Sequence, residues 1–290
     1  MAVTVKAPSK GVAQVAIKNT PQAVNDTGTI SENGTTTLNV LANDLGGGAK
    51  QLWSIYQDDP SVQTAVGVDV EVVADKIEAT ILADGQLELT IIEGAYDYLG
   101  AGQTATVTFN YSIRMSNGAI SVAQVTLTIT GTNDGPVLSD TADPAAVVEL
   151  SDAAAQNLAA ITGSFAVTDL DVGDTLTPSV VGSPEVKLDG LAFVLPAGAA
   201  ALVAPGAFSL TGAVSNGGAT SIGYSYDPGA ANLDFLRAGQ SLTITYAVKV
   251  NDGTTDSATQ NVTFTITGTN DAPVAVDDTA TGDEDTAQTG

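Results

Sequence analysis

Histidine and cysteine are both absent from this chain. Without them there are no Ser-His or Cys-His nucleophile pairs and no thiolate or imidazole zinc site, so carboxylates and hydroxyls are the only plausible reactive groups. No disulfide stabilises the chain, and none reports its compartment. Positive charge is almost as scarce: nine Lys and Arg stand against 33 Asp and Glu, a formal net charge of −24 over 290 residues. Nucleic acid and anionic membranes both need clustered basic residues, so neither is an expected partner. No apolar run reaches the length of about 18 residues that crosses a bilayer, and membrane insertion is not expected. The opening Met1-Ala2-Val3-Thr4-Val5-Lys6 lacks the apolar core of a secretory signal peptide, so export would rely on another signal. Cations are the partners that such a surface attracts, although acidity also serves solubility outside the cell.

What the chain does have is a long internal repeat. Gly131-Thr132-Asn133-Asp134-Gly135-Pro136-Val137 returns 137 positions later as Gly268-Thr269-Asn270-Asp271-Ala272-Pro273-Val274. The match runs back without a gap: residues 96–137 and 233–274 agree at 18 of 42 positions, including Ala101-Gly102-Gln103 against Ala238-Gly239-Gln240. Each copy closes a run in which Thr alternates with an apolar residue, Val125 to Thr130 and Val262 to Thr267. A period of two places the apolar side chains on one face of a strand. A last strand therefore ends, an Asn-Asp pair follows, and a proline starts the next unit.

Length and repeat divide the chain into a leader at 1–20, a first unit at 21–134, a second at 135–271 and the start of a third at 272–290. The leader carries three of the nine basic residues, Lys6, Lys10 and Lys18, and reads as a strand or arm docked on acidic surface of its own unit or of a neighbouring copy. In the first unit, β-rich runs fall at 36–41, 52–56, 68–73, 77–82, 87–92, 104–113 and 120–130. Asp84-Gly85 and Asn117-Gly118 are hairpin pairs, because Asn or Asp followed by Gly tolerates the positive φ of tight primed turns. Asp189-Gly190, Asn216-Gly217 and Asp252-Gly253 serve as turns in the second unit. A unit of about seven strands is the size of an immunoglobulin-like sandwich. The expected fold class is all-β: tandem immunoglobulin- or cadherin-like β-sandwich domains. The second unit is longer, with loops and edge strands expected over 195–220 and a short helical turn possible within 153–161.

Asp169-Leu170-Asp171-Val172-Gly173-Asp174 is the strongest candidate for metal ligation. Alternate residues of an extended stretch point the same way, and the glycine lets the third carboxylate fold back. Three carboxylates around a hard cation suit calcium, which takes six to eight oxygens in irregular loops. The stretch is not an EF-hand, since Val180 stands where the closing bidentate Glu would be; a solvated acidic turn is the alternative. Asn133 and Asp134, joined by Asp140, and Asn270 and Asp271, joined by Asp277 or Asp278, are further candidates. An Asx-type turn at a strand end would account for them equally well. In the first unit Asn43-Asp44 runs into Leu45-Gly46-Gly47-Gly48 rather than an acidic triplet, which argues against a full site there.

Three features together carry a family likeness: Gly-Thr-Asn-Asp-Ala-Pro-Val after a Thr-alternating strand, the stretch from Gly163 to Leu176 containing the acidic triplet, and Val40-Leu41-Ala42-Asn43-Asp44. Over residues 21–290 the chain resembles the VCBS and cadherin-like repeats of giant RTX-type bacterial surface adhesins exported by type I secretion. The resemblance implies tandem β-sandwiches, calcium at or near domain junctions, a secretion signal at the far C-terminus, and a role in adhesion, biofilm or surface layers. The RTX nonapeptide itself is absent from the chain.

A carboxylate pair for glycoside hydrolysis is not supported, because among 33 acids some pair falls at catalytic distance by accident and the chain has one tryptophan, Trp53. Trp53 and Tyr56 read as core or edge residues. The expected function is that of a calcium-stabilised, non-enzymatic structural or adhesive segment of a secreted, extracellular bacterial surface protein. Two alternatives are a module that binds cell-surface glycan or protein and a subunit that assembles with copies of itself.

Overall fold

A computed structural model describes residues 20–46, 49–56, 59–73, 76–139, 142–151, 158–229 and 231–272. The leader arm expected over 1–20 lies outside the described residues except for Thr20, as does the third unit beyond Ala272. Among the described residues, the first half of the chain forms β1 (Asp26–Ser31), β2 (Thr35–Leu38), β3 (Lys50–Tyr56), β4 (Asp69–Val73), β5 (Ile77–Ile81), β6 (Leu87–Ile91), β7 (Thr104–Met115) and β8 (Ile120–Thr130). The second half forms β9 (Val137–Leu138), β10 (Val147–Val148), β11 (Ile161–Thr168), β12 (Thr175–Val180), β13 (Glu185–Leu188) and β14 (Leu191–Ala192). It continues with β15 (Phe208–Thr211), β16 (Ala213–Val214), β17 (Ala219–Tyr226), β18 (Ser241–Asn251) and β19 (Gln260–Thr267).

These strands make tandem β-sandwiches. In the first, a sheet ordered β1-β8-β7-β3 faces one ordered β2-β6-β5-β4. In the second, β15-β17-β11-β9 faces β10-β19-β18-β12-β16, with the β13–β14 hairpin also paired to β18. The alternation seen in the sequence is the cause. Along β8, Ala123, Val125, Leu127 and Ile129 are buried while the intervening threonines face outward, and Val262, Phe264 and Ile266 do the same on β19. Each sandwich has its own apolar core. The second is richer in rings, with Tyr226 stacked on Phe264 at 4.2 Å and Phe208 on Tyr246 at 4.5 Å.

Both units repeat one topological feature. The opening strand runs parallel to the closing one, β1 beside β8 and β10 beside β19. The residue after each opening strand is a glutamate whose backbone N–H bonds to the closing strand: Glu32 to Thr130 O at 3.0 Å, and Glu149 to Thr267 O at 2.9 Å. The repeated Ala-Gly-Gln turn then locks the end of the closing strand. Gly131 donates to Gln103 O and accepts from Gly102, while Gly268 donates to Gln240 O and accepts from Gly239.

Three local differences from the sequence reading have physical reasons. Strand β1 was not among the expected runs, because Asp26-Thr27-Gly28-Thr29 offers no apolar alternation; it is held by pairing with β8. Strand β2 stops at Leu38 rather than at Leu41, where Ala42 N bonds back to Asn39 O at 3.1 Å and turns the chain. Within 195–220, expected as loops and edge strands, residues Ala197–Val203 form a 3-10 helix, anchored from the core by Tyr226 Oη donating to Leu202 O at 3.0 Å. Most of the 153–161 segment lies outside the described residues. Trp53 sits on edge strand β3 with the Arg114 guanidinium 4.1 Å from its ring centre.

Candidate metal centre

Strand β11 delivers the acidic triplet. It ends at Thr168, and the loop to β12 brings Asp169, Asp171 and Asp174 together, with one oxygen of each within 4.8 Å of the others. Asp169 and Asp171 are fully buried at 1% and 0% exposure. Asp169 accepts from the Asp171 N–H at 3.0 Å, and Ser215 Oγ donates to the Asp169 carbonyl at 2.8 Å, so the loop is tied to the one between β16 and β17.

The linker of the repeat motif closes on this loop. Asp134 N donates to Asp171 Oδ2 at 2.8 Å, and Val172 N donates to Tyr98 O at 3.2 Å. Asn133 Nδ2 donates to Asp252 Oδ2 at 2.9 Å. Asp252 was read only as half of a turn; that turn, at the end of β18, carries its buried carboxylate beside the triplet. On the other side, buried Glu32 accepts from Thr132 N at 2.7 Å, and burial, with the nearby Glu32 and Asp97 carboxylates adding to it, pushes Asp134 up. Seven carboxylates, those of Glu32, Asp97, Asp134, Asp169, Asp171, Asp174 and Asp252, thus run continuously across the junction. No ammonium or guanidinium group is hydrogen-bonded to any of them among the described residues.

Burying charge of one sign is costly, several kcal/mol per uncompensated ion. The site carries the marks of that cost. Asp169 Oδ2, Asp171 Oδ1, Asp134 Oδ2, Asp97 Oδ1 and Glu32 Oε2 are all buried and lack a hydrogen-bond partner. Burial, with the neighbouring carboxylates adding to it, holds the Asp171 carboxyl up at about 6. Asp169 and Asp174 are raised in the same way, chiefly by burial. Asp252 goes the other way: burial raises it, but hydrogen bonds from Thr255, Asn133 and Thr254 outweigh that and lower it. The ligand set is all oxygen, anionic and poor in hydrogen-bond donors, which fits a hard divalent cation.

A pH prediction follows for the metal-free protein. A carboxyl raised in the folded state contributes stability that is complete below its ordinary value of 3.8 and is lost as pH rises through the folded value of about 6. In chelator, stability should therefore fall between pH 4 and pH 7, by an amount on the order of 2 kcal/mol for Asp171, and the melting temperature with it. Thermal scans across that range should show this slope, and Asp171→Asn should flatten it. A flat profile in the parent chain counts against the buried-charge account.

A second cluster repeats part of the first. Glu149, Asp234 and Asp271 bring one oxygen each within 4.8 Å, Glu149 accepts from Thr269 N at 2.9 Å, and Glu149 Oε1 is buried without a partner. Glu149 is 2% exposed and is raised by burial and by Asp271 and Asp234. Asp234 and Asp271 stand 137 positions after Asp97 and Asp134, so this is the first unit's contribution to the junction repeated at the end of the second. Asn270 is exposed and its Nδ2 turns to Asp271 O at 3.2 Å, outside the cluster. Asp140, Asp277 and Asp278 lie outside the described residues. Glu32 and Glu149 were missed because each is a lone acid in its run; the repeated strand-Glu pattern, visible only once β1 and β10 are aligned, is the signal that finds them.

No protein-family model matches the chain, and no curated protein does. Solved structures with a similar arrangement include the PcdhgB3 EC1–4 fragment, at 12% identity and TM-score 0.42, covering 88% of this chain and 50% of that one. Drosophila N-cadherin EC1–4 aligns at 12% identity and TM-score 0.39, covering 84% and 49%. The CFA/I enterotoxigenic E. coli adhesin CfaE aligns at 10% identity and TM-score 0.33, covering 88% and 99%. The chain spans about half the length of the two cadherin chains.

Proposed function

We propose that the junction between the two sandwiches binds calcium and that the chain is a calcium-stiffened, non-catalytic segment of an extracellular structural or adhesive protein. The observation that carries this reading is the run of seven buried and half-buried carboxylates, five of them with a buried oxygen that lacks a partner, contributed by both sandwiches and by the linker between them. Asp169, Asp171, Asp174 and Asp252 would hold the ion from the second sandwich, and Asp134, with Glu32 and Asp97 behind it, from the first. A bound cation supplies the missing positive charge and fixes the angle between units that would otherwise be joined by a short linker. Spacing and stiffening are the work such a segment does. The resemblance to VCBS and cadherin-like repeats supports a bacterial cell-surface setting reached by type I secretion, with adhesion, biofilm or surface-layer roles. Recognition of glycan or protein by the same segment, and self-assembly, are alternatives that the seven-carboxylate junction does not itself favour.

Tyr98 lies at this junction beside Asp97, with Tyr96 6.1 Å away ring to ring. Terbium, a luminescent stand-in for calcium, should therefore be sensitised by tyrosine excitation and displaced by millimolar calcium. Asp171→Asn should weaken that signal, whereas Glu149→Gln should leave most of it. Absence of any calcium-displaceable terbium signal would remove the metal reading.

A further inference from the structure

The first sandwich has its own counterpart of the pole where the second gathers its carboxylates, and the chemistry there differs. The loop between β2 and β3 carries one acid, Asp44, against three in the loop between β11 and β12. The position 137 residues before Asp252 is Met115. Facing Met115 in the register of β3 and β7 is Lys50. Its ammonium donates to the Asp44 carbonyl oxygen rather than pairing with the carboxylate, and its charge only partly offsets the burial that raises the Asp44 carboxyl.

The surroundings are otherwise those of a cation site. Asp44 is 5% exposed, with Oδ1 accepting from Val24 N at 2.7 Å and Oδ2 buried without a partner. The single hydroxyl proton of Tyr111 faces four oxygens: Asp26 Oδ2 at 2.7 Å, Val24 O at 3.0 Å, and Val40 O and Asp44 Oδ1 at 3.2 Å. Two carboxylates and two carbonyls therefore converge on one hydroxyl, and although Val24 N and Asn43 Nδ2 also donate among them, acceptors remain in excess and favour a positive charge nearby. At the junction between the sandwiches no side chain supplies it. Here one does.

We propose that Lys50 is the built-in cation of this pole, giving Asp44 the positive charge that the junction carboxylates take from a bound ion, so that the first sandwich closes its far end without metal. The comparison rests on the calcium reading of the junction, but the role of Lys50 does not. A tethered ammonium is present at every calcium concentration and involves no uptake of an ion. The pole thus stays closed under conditions that loosen the junction.

The test is a charge comparison in the full chain in chelator. Lys50→Met and Lys50→Gln should each lower the first melting transition by about 3–6 °C, Lys50→Arg should hold it, and Asp44→Asn should recover most of the loss in the Lys50→Met background. Gln keeps an N–H donor without charge, so a Gln variant as stable as the parent would overturn the proposal, as would an equal loss from Lys50→Met with and without Asp44→Asn. Calorimetric titration with calcium should count the same number of ions for the parent and for Asp44→Asn. One ion fewer in Asp44→Asn would make this pole a metal site and overturn the proposal. If neither protein binds calcium, the junction reading fails, while the comparison in chelator still decides the role of Lys50.

Discussion

Chelation lowers the melting temperature of this chain, and Asp171→Asn removes most of the difference between calcium and chelator. The expectation rests on what each state must bury. Without a cation, Asp169 and Asp171 sit fully buried among like charges with one oxygen each unpartnered. Extracellular calcium modules bind with dissociation constants of about 0.1–1 mM. A tenfold excess of free ion then contributes roughly 1.4 kcal/mol per independent site, a shift of several degrees for a unit of this size. Relief of carboxylate repulsion is already contained in that affinity and is not added to it. Asp171 is the residue to change because it alone of the triplet accepts from the linker, through Asp134 N at 2.8 Å. Asn retains an acceptor for that bond while removing a charge, so the calcium-free fold should persist and the calcium increment should shrink. Differential scanning calorimetry with and without millimolar calcium reads both quantities, and superimposed scans of the parent chain would sink the calcium reading.

The parts of this molecule that were legible in its sequence are those governed by local period. The alternation in 120–130 gave β8 to the residue, and the runs over 77–82 and 87–92 gave β5 and β6 to within one. The triplet was legible for the same reason: Asp169 and Asp171 are two apart on an extended chain, and Gly173, at φ 99°, makes the turn that returns Asp174. What remained hidden is set by pairing across long separations. Glu32 reaches the junction because β1 lies parallel to β8, a partner about 100 residues away in sequence, and no feature within 26–31 announces it. Asp252 and Gly253 carry the composition of a surface turn, yet the end of β18 places Asp252 beside a linker 119 residues earlier. Lys50 is invisible for a further reason, since a lone lysine at the start of a strand gains meaning only when the acceptors around Tyr111 are seen.

Gly131→Ala destabilises the first sandwich by about 3 kcal/mol and weakens calcium binding at the same time. A Cβ on Gly131 would stand 2.1 Å from Leu99 O and 2.6 Å from Gly100 O, backbone atoms that no rotamer change can move aside. Relief requires separating the end of β8 from the 99–103 turn, which breaks the bonds Gly131 makes with Gln103 and Gly102. That turn follows Tyr98, whose carbonyl holds Val172, and Gly100 packs near Asp171 and Asp174. The displaced chain also leads within three residues to Asp134. Structural damage and loss of the ion site are therefore one event at this position. Gly268 repeats the crowding in the second sandwich, where its Cβ would stand 2.5 Å from Arg237 O. Gly268→Ala should cost similar stability there, yet leave the Asp171 junction and its terbium signal close to those of the parent chain. Gly135→Ala meets only the Thr255 side chain, at 3.0 Å, and should be mild. Equilibrium denaturation paired with terbium titration of the three variants tests the ordering. A Gly131→Ala chain as stable as the parent would show that the repeated Ala-Gly-Gln and Gly-Thr-Asn-Asp segments match for some reason other than this close backbone contact.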